Sequence, residues 1–156
     1  MCVLVGLLDY LEVKELRLKN RIVMPPMQTG LATIEGAVTD KLIEHYTRRS
    51  GSLGLLIIEH SYVAIQGKIT EKQLGVHDDS LIPGLERLSK SVHAAGTPVV
   101  MQINHCGRSA DKKITGMDPV APSPDENARE LQVKEIERVA EVFAKAAERV
   151  IKAGFD

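Results

Sequence analysis

The chain has 156 residues, of which 44% are hydrophobic, 26% charged and only 3% aromatic. The aliphatic content excludes a disordered chain, the lack of a short repeat excludes a fibrous one, and the length fits one domain with a buried core. Twenty basic residues against twenty-one acidic ones leave a formal net charge of −1, so neither a basic surface nor a set of stacking aromatics points to nucleic acid.

Residues 1–8 are apolar but lack a basic start and run into Asp9 and Glu12. They predict no signal peptide. No apolar run reaches the roughly 20 residues of a bilayer span, so no membrane partner is expected and a soluble, cytoplasmic protein is the reading. The first predicted strand is Arg21 to Met24, stopped by Pro25 and Pro26. A helix follows, capped by Thr39 and opened by Asp40, with Leu42, Ile43 and Tyr46 on its inner face. The second strand is the apolar run Leu53 to Ile58, ending in Glu59 and His60. Ser80 is the expected cap of the second helix, with Pro83 in its first turn. Ile82, Leu85, Leu88, Val92 and Ala95 keep helical spacing, and Gly96 closes it. The third strand is Val99 to Ile103, followed by Asn104 and His105. A last helix spans about Val133 to Ala153 and ends at Gly154. Ile136, Val139, Phe143, Ala146, Ala147 and Val150 lie on its apolar face, and its charged residues form the solvated one.

Continuous apolar strands alternating with helices predict a parallel α/β sheet buried on both faces. The residues alone leave two architectures open: a three-stranded sheet with a stub, or the front of a larger barrel. Polar residues follow the C-terminal end of each strand, where parallel α/β proteins bind ligands. Gln102, set inside an apolar strand, is read as buried and in need of partners. Its amide suits the pyrimidine edge of a heterocycle, which presents both donors and acceptors. Other chemistries find no support. Cys2 and Cys106 form no disulfide framework, and no CxxC pair, glycine-rich phosphate loop or GxSxG elbow occurs. No two of the five histidines are spaced three or four apart, so no helix-borne metal site is expected. Cys106 is read as a small packed thiol rather than a nucleophile.

Leu16 to Met24 followed by Pro25, Pro26 and Met27 resembles the opening of the Old Yellow Enzyme family of FMN-dependent oxidoreductases. Gly54 to Glu59 resembles its second strand. Val100 to Arg108, with Gln102 and then His105, Cys106, Gly107 and Arg108, resembles its third. Ala121 to Ser123 fits the loop after that strand, and Glu148 to Asp156 fits the helix before the fourth. Met27 to Leu31 looks most like the branch of NADH:flavin oxidoreductases and 2,4-dienoyl-CoA reductases. The resemblance runs from about Leu7 to Asp156.

That resemblance implies a (β/α)8 barrel, a fold of about 250 residues, of which residues 1–156 form an N-terminal segment ending before the fourth strand. It implies FMN, with NADH or NADPH as hydride donor, and a small-molecule substrate carrying an activated alkene such as an enone or enoyl thioester. Pro26 and Met27 are expected against the flavin ring. Gln28 holds a position near flavin N5 and O4 that the family fills with Thr, Cys or His. His60 stands where the family commonly has Ala or Gly, and Gln102 matches the Gln that bonds the pyrimidine edge. The carbonyl-polarising donors, the general acid and the phosphate site belong to later segments in the family, so catalytic residues are expected outside this chain. Tyr62 is assigned no acid role. An open three-stranded sheet also leaves unpaired edges, which predicts self-association or dependence on the rest of the barrel, and a chain inactive alone. The alternatives are a non-catalytic binding or assembly module that reuses the barrel front, and a small doubly wound domain. Strand order separates the last: consecutive order means a barrel, and 2-1-3 order a doubly wound sheet.

Overall fold

The computed structural model describes residues 5–156. Cys2 and half of the apolar start lie outside them. The chain opens with a short antiparallel hairpin, β1 (Leu11–Val13) and β2 (Leu16–Leu18). Its turn passes through Lys14 at φ 52; the short alternations Leu11-Glu12-Val13 and Leu16-Arg17-Leu18 are its sequence signal, and the predicted elements do not include it. Asn20 then pins the chain, accepting from Ile22 N at 3.0 Å and donating to Ser52 O at 2.7 Å. Pairing therefore starts two residues later than expected, at β3 (Val23–Met24).

Helix α1 (Asp40–Thr47) follows, with Thr39 Oγ1 accepting from Leu42 N at 3.2 Å as the sequence predicts. Strand β4 (Leu55–Tyr62) runs four residues past the predicted apolar stretch. Helix α2 (Ile82–Ala94) has Pro83 in its first turn and Gly96 beyond its end at φ 76. Its cap differs from expectation. A single 3-10 turn, Asp79–Leu81, precedes the helix, and Asp78 rather than Ser80 supplies the capping oxygen, accepting from Ser80 N at 2.9 Å. Strand β5 (Val99–Asn104) comes next. A long excursion then carries a short helix α3 (Lys112–Thr115) and two small strands, β6 (Val120–Ala121) and β7 (Arg129–Glu130). Helix α4 (Val133–Lys152) closes the chain.

Strands β3, β4 and β5 form one parallel sheet in consecutive order. That order overturns the doubly wound alternative, in which the first strand lies between the other two. One face of the sheet is covered. Leu56, Ile58 and Val99 pack there against Leu42 and Tyr46 of α1 and Leu85, Leu88 and Val92 of α2, all buried. Ala146 is the only α4 residue buried to the same degree among the described residues; Val142, Phe143 and Val150 lean on this core, while Ile136 is 51% exposed. The apolar stripe of α4 is thus covered at its C-terminal half alone.

The opposite sheet face is open. Val23 is 43% exposed, and Leu55, Ile57 and Val100 are half-buried. Gln102 is exposed, and its side chain makes no hydrogen bond among the described residues. The expectation of burial on both faces fails here because no further strand curls round to cover this side among the described residues. After α4 the chain turns through Gly154 at φ 76 and comes back to the sheet. Asp156 N donates to Val99 O at 3.0 Å, and Asp156 Oδ2 accepts from Val99 N at 2.7 Å and bonds His93 Nε2 at 2.8 Å. The chain end therefore sits beside β5 on the edge away from β4, where the next strand of a consecutive sheet belongs.

Candidate functional site

The C-terminal ends of β3, β4 and β5 form one polar edge. Proline has no N–H to give to a ladder, so Pro25 and Pro26 end β3 and send the chain across this edge. Pro26 is half-buried, Met27 is 63% exposed and Gln28 is exposed. A strap holds the crossing in place. Thr29 N and Thr29 Oγ1 donate to the two oxygens of Glu59, at 2.8 and 2.6 Å. Glu59 is fully buried, and its own N–H donates to Tyr46 Oη at 2.9 Å. Burial and the neighbouring Glu59 push the Tyr46 hydroxyl far above the usual tyrosine range.

Strand β4 carries a bulge at this level. Ile58 pairs with Met101 and Ser61 with Ile103, so Glu59 and His60 together face Gln102. A bulge re-aims side chains. Here Glu59 is buried against Thr29 while His60 stands half-buried at the rim, its Nε2 3.2 Å from Gln28 Oε1. Gln28 Nε2 in turn donates to Thr70 Oγ1. Gln28, His60 and Gln102 are therefore brought to one edge, with Pro26 and Met27 beside them.

Behind His60 lies a second layer. Segment 74–76 runs along the end of β4, with Tyr62 N donating to Leu74 O and Val76 N to Tyr62 O, both at 3.0 Å. This places the buried Gln73 so that its Nε2 is 3.0 Å from His60 Nδ1, while its Oε1 accepts from Ile69 N at 2.9 Å. Asn104 Nδ2 is 3.1 Å from the same His60 Nδ1. Nothing in the sequence singled out Gln73, which lies in a segment without periodicity. Glu59 carried a signal, a carboxylate at the end of an apolar strand, but its partner Thr29 is thirty residues away.

The neighbouring groups are committed elsewhere. Tyr62 is buried, donates to Glu35 O at 2.8 Å and stacks on His77 with ring centres 4.6 Å apart; burial pushes its hydroxyl up to about 12. Cys106 is half-buried, 3.4 Å from Asn104 Nδ2, and burial raises its thiol, which fits a packed thiol. His105 Nδ1 accepts from Gly107 N at 3.1 Å, its Nε2 is buried without a partner, and burial lowers its pKa.

Comparison with known proteins settles the lineage. The profile of the NADH:flavin oxidoreductase / NADH oxidase family matches residues 7–156. The chain belongs to this family. It is 42% identical over 153 residues to an NADH oxidase of Thermoanaerobacter brockii, covering 92% of the chain and 24% of that protein. It is 40% identical over 151 residues to an NADPH dehydrogenase of Clostridium acetobutylicum, covering 92% of the chain and 44% of that protein. The old yellow enzyme homologue from Zymomonas mobilis superposes with a TM-score of 0.92 at 32% identity, over 97% of the chain and 47% of that structure. Morphinone reductase in complex with tetrahydroNAD superposes at 0.89 and 27% identity, over 97% and 48%. The chain thus spans less than half the length of each of these relatives. In family terms the sheet β3-β4-β5 is the N-terminal part of a TIM barrel, and the polar edge is the C-terminal mouth where such barrels bind ligands. No helix among the described residues is long and apolar enough to cross a membrane.

Proposed function

We propose that this chain supplies the ring-binding wall of an FMN-dependent NAD(P)H oxidoreductase of the ene-reductase type. The observation that carries the reading is the exposed Gln102 amide, unengaged among the described residues, beside the Gln28–His60 pair on the strand-end edge. A flavin ring needs a flat apolar support and, at its pyrimidine end, an alternation of donors and acceptors. Met27 offers exposed apolar surface, Gln102 offers one donor and one acceptor, and Gln28 offers a further N–H. The donor set fits the cofactor. Pro26, Met27, Gln28, His60 and Gln102 would hold it.

When bound, FMN supplies hydride transfer from NAD(P)H to an alkene conjugated to a carbonyl. The chain's own residues have other tasks. Pro26 and Met27 bear on the ring and keep water from one side of it. Gln102 fixes the ring's orientation, and Gln28 directs an N–H at the mouth. Glu59 keeps the crossing loop from swinging away, because both its oxygens grip Thr29. The cofactor phosphate and the substrate carbonyl are bound by groups outside these residues. On this reading the isolated chain binds FMN weakly, does not turn over, and covers its open sheet face by self-association.

Titration of FMN fluorescence with the purified chain, with gel filtration in parallel, tests the reading. We expect saturable binding, about tenfold weaker for Gln102→Ala, the equivalent of about 1.4 kcal/mol of lost hydrogen bonding. Elution above monomer mass is expected, and NAD(P)H oxidation with an enone stays at the rate of free FMN. Equal affinity of wild type and variant, or no binding, would overturn the ring-wall assignment.

A further inference from the structure

We propose that Gln73 and Asn104 are positioning residues that fix the tautomer of His60 and, through it, which end of the Gln28 amide faces the mouth. The proposal rests on the ring-wall reading for its purpose, though its geometry stands without a cofactor.

Two side-chain amides converge on one ring nitrogen. Gln73 Nε2 and Asn104 Nδ2 lie 3.0 and 3.1 Å from His60 Nδ1. Neither amide is free to turn its oxygen there. Gln73 Oε1 is held by the backbone N–H of Ile69 at 2.9 Å, and Asn104 Oδ1 accepts from Gln73 Nε2 at 3.4 Å. An amide nitrogen only donates, so His60 Nδ1 accepts and the ring proton sits on Nε2. Nε2–H then donates to Gln28 Oε1 across 3.2 Å. With its oxygen turned toward His60, Gln28 presents its NH2 group outward. One hydrogen goes to Thr70 Oγ1, which leaves the other for a ligand. A histidine in the opposite tautomer would demand a donor from Gln28 and leave its carbonyl oxygen facing the mouth. The buried pair therefore selects whether this position offers a donor or an acceptor, from one layer behind the surface.

Gln73 is fully buried, its oxygen is committed to the backbone, and its nitrogen serves the site. Gln73→Glu keeps the oxygen that accepts from Ile69 N and replaces the donor to His60 by an acceptor of the same shape.

The test is long-range proton–nitrogen correlation NMR on the 156-residue chain with labelled histidine and no flavin added. In the wild type, His60 is expected with Nε2 protonated and Nδ1 bare, in at least about tenfold excess over the other tautomer, which corresponds to about 1.4 kcal/mol. Gln73→Glu is expected to place a proton on Nδ1, as the tautomer with Nε2 bare or as the imidazolium that the new carboxylate favours, and to shift the Gln28 side-chain amide resonances. Asn104→Asp, made from the other side, is expected to do the same, so a folding defect in one variant does not decide the matter. A wild-type His60 with both tautomers comparably populated, or with the proton on Nδ1, overturns the proposal. So does a folded Gln73→Glu or Asn104→Asp protein in which Nδ1 stays bare. Because no flavin is present, failure here is separate from failure of FMN titration.

Discussion

Glu59→Ala is expected to be costly in proportion to what its carboxylate holds. Both oxygens accept from Thr29, at 2.8 and 2.6 Å, and the side chain is fully buried. A hydrogen bond to a charged acceptor contributes roughly 1.5–3 kcal/mol, and the half-buried Thr29 recovers part of that from water. Two such bonds at the lower end give about 3 kcal/mol, and one lost buried methylene adds about 0.8 kcal/mol. The expected loss is therefore about 3–5 kcal/mol, a large share of the roughly 5–15 kcal/mol that a domain commands. Urea unfolding followed by circular dichroism reads this as a midpoint lower by about 1.5–2.5 M, for a slope of about 2 kcal/mol per molar. Thr29→Val removes the hydroxyl arm of the strap, together with the acceptor of Leu31 N at 3.2 Å. A double-mutant cycle of the two should return a coupling of about 1–2 kcal/mol. A single-variant loss under about 1 kcal/mol, or a coupling near zero, would refute the strap.

Two further expectations follow from other parts of the fold. Gly36 has φ 85, and a Cβ there would lie 2.5 Å from Tyr62 Oη and 2.9 Å from Gly75 N. Gly36→Ala should therefore cost about 3 kcal/mol in backbone strain and overpacking, a melting temperature lower by about 6–12 °C, and an unchanged melt would contradict the close approach. His105 and His77 are both lowered from 6.5 by burial. The unfolded chain then takes up protons first, so stability is full above about pH 6.5 and falls as pH drops toward the lower folded values. His105→Gln should flatten that acid-side slope by one proton's contribution, and an unaltered slope in denaturant titrations across this range would exclude His105 as a source.

The parts of the fold dictated by local rules were legible in the residues. The Thr39 cap, the Pro83 entry and the glycines after both long helices appear where spacing places them, and each of the three apolar runs holds a strand, though the first two have shifted ends. What depended on distant partners was not. Ser80 is a good capping residue, but Asp78 engages its N–H first and winds a 3-10 turn ahead of α2. Gln102 has the sequence context of a buried amide, yet its burial depends on whether strands stand opposite, which neighbours in sequence cannot report. At the candidate site, Gln28, His60 and Gln102 were visible as polar residues at strand ends. Glu59 as anchor and Gln73 as supporting amide were not, since each acts through a partner that only the folded chain brings near.

The bulge in β4 gives that strand two alternating frames. Before it, even-numbered Leu56 and Ile58 face the helices; after it, odd-numbered Ser61 pairs with Ile103 on that same side. Loss of Glu59 or His60 would leave one residue opposite Gln102 and restore a regular ladder, with Leu56, Ile58 and Ser61 keeping their faces. The residue left between the inward-facing Ile58 and Ser61 would point to the rim, so the buried carboxylate that grips Thr29 would be lost while the strand pairing survives. A one-residue deletion at Glu59–His60 should therefore spare the sheet and release the crossing loop, whereas the excursion between β5 and α4 should accept changes in length with little effect on either.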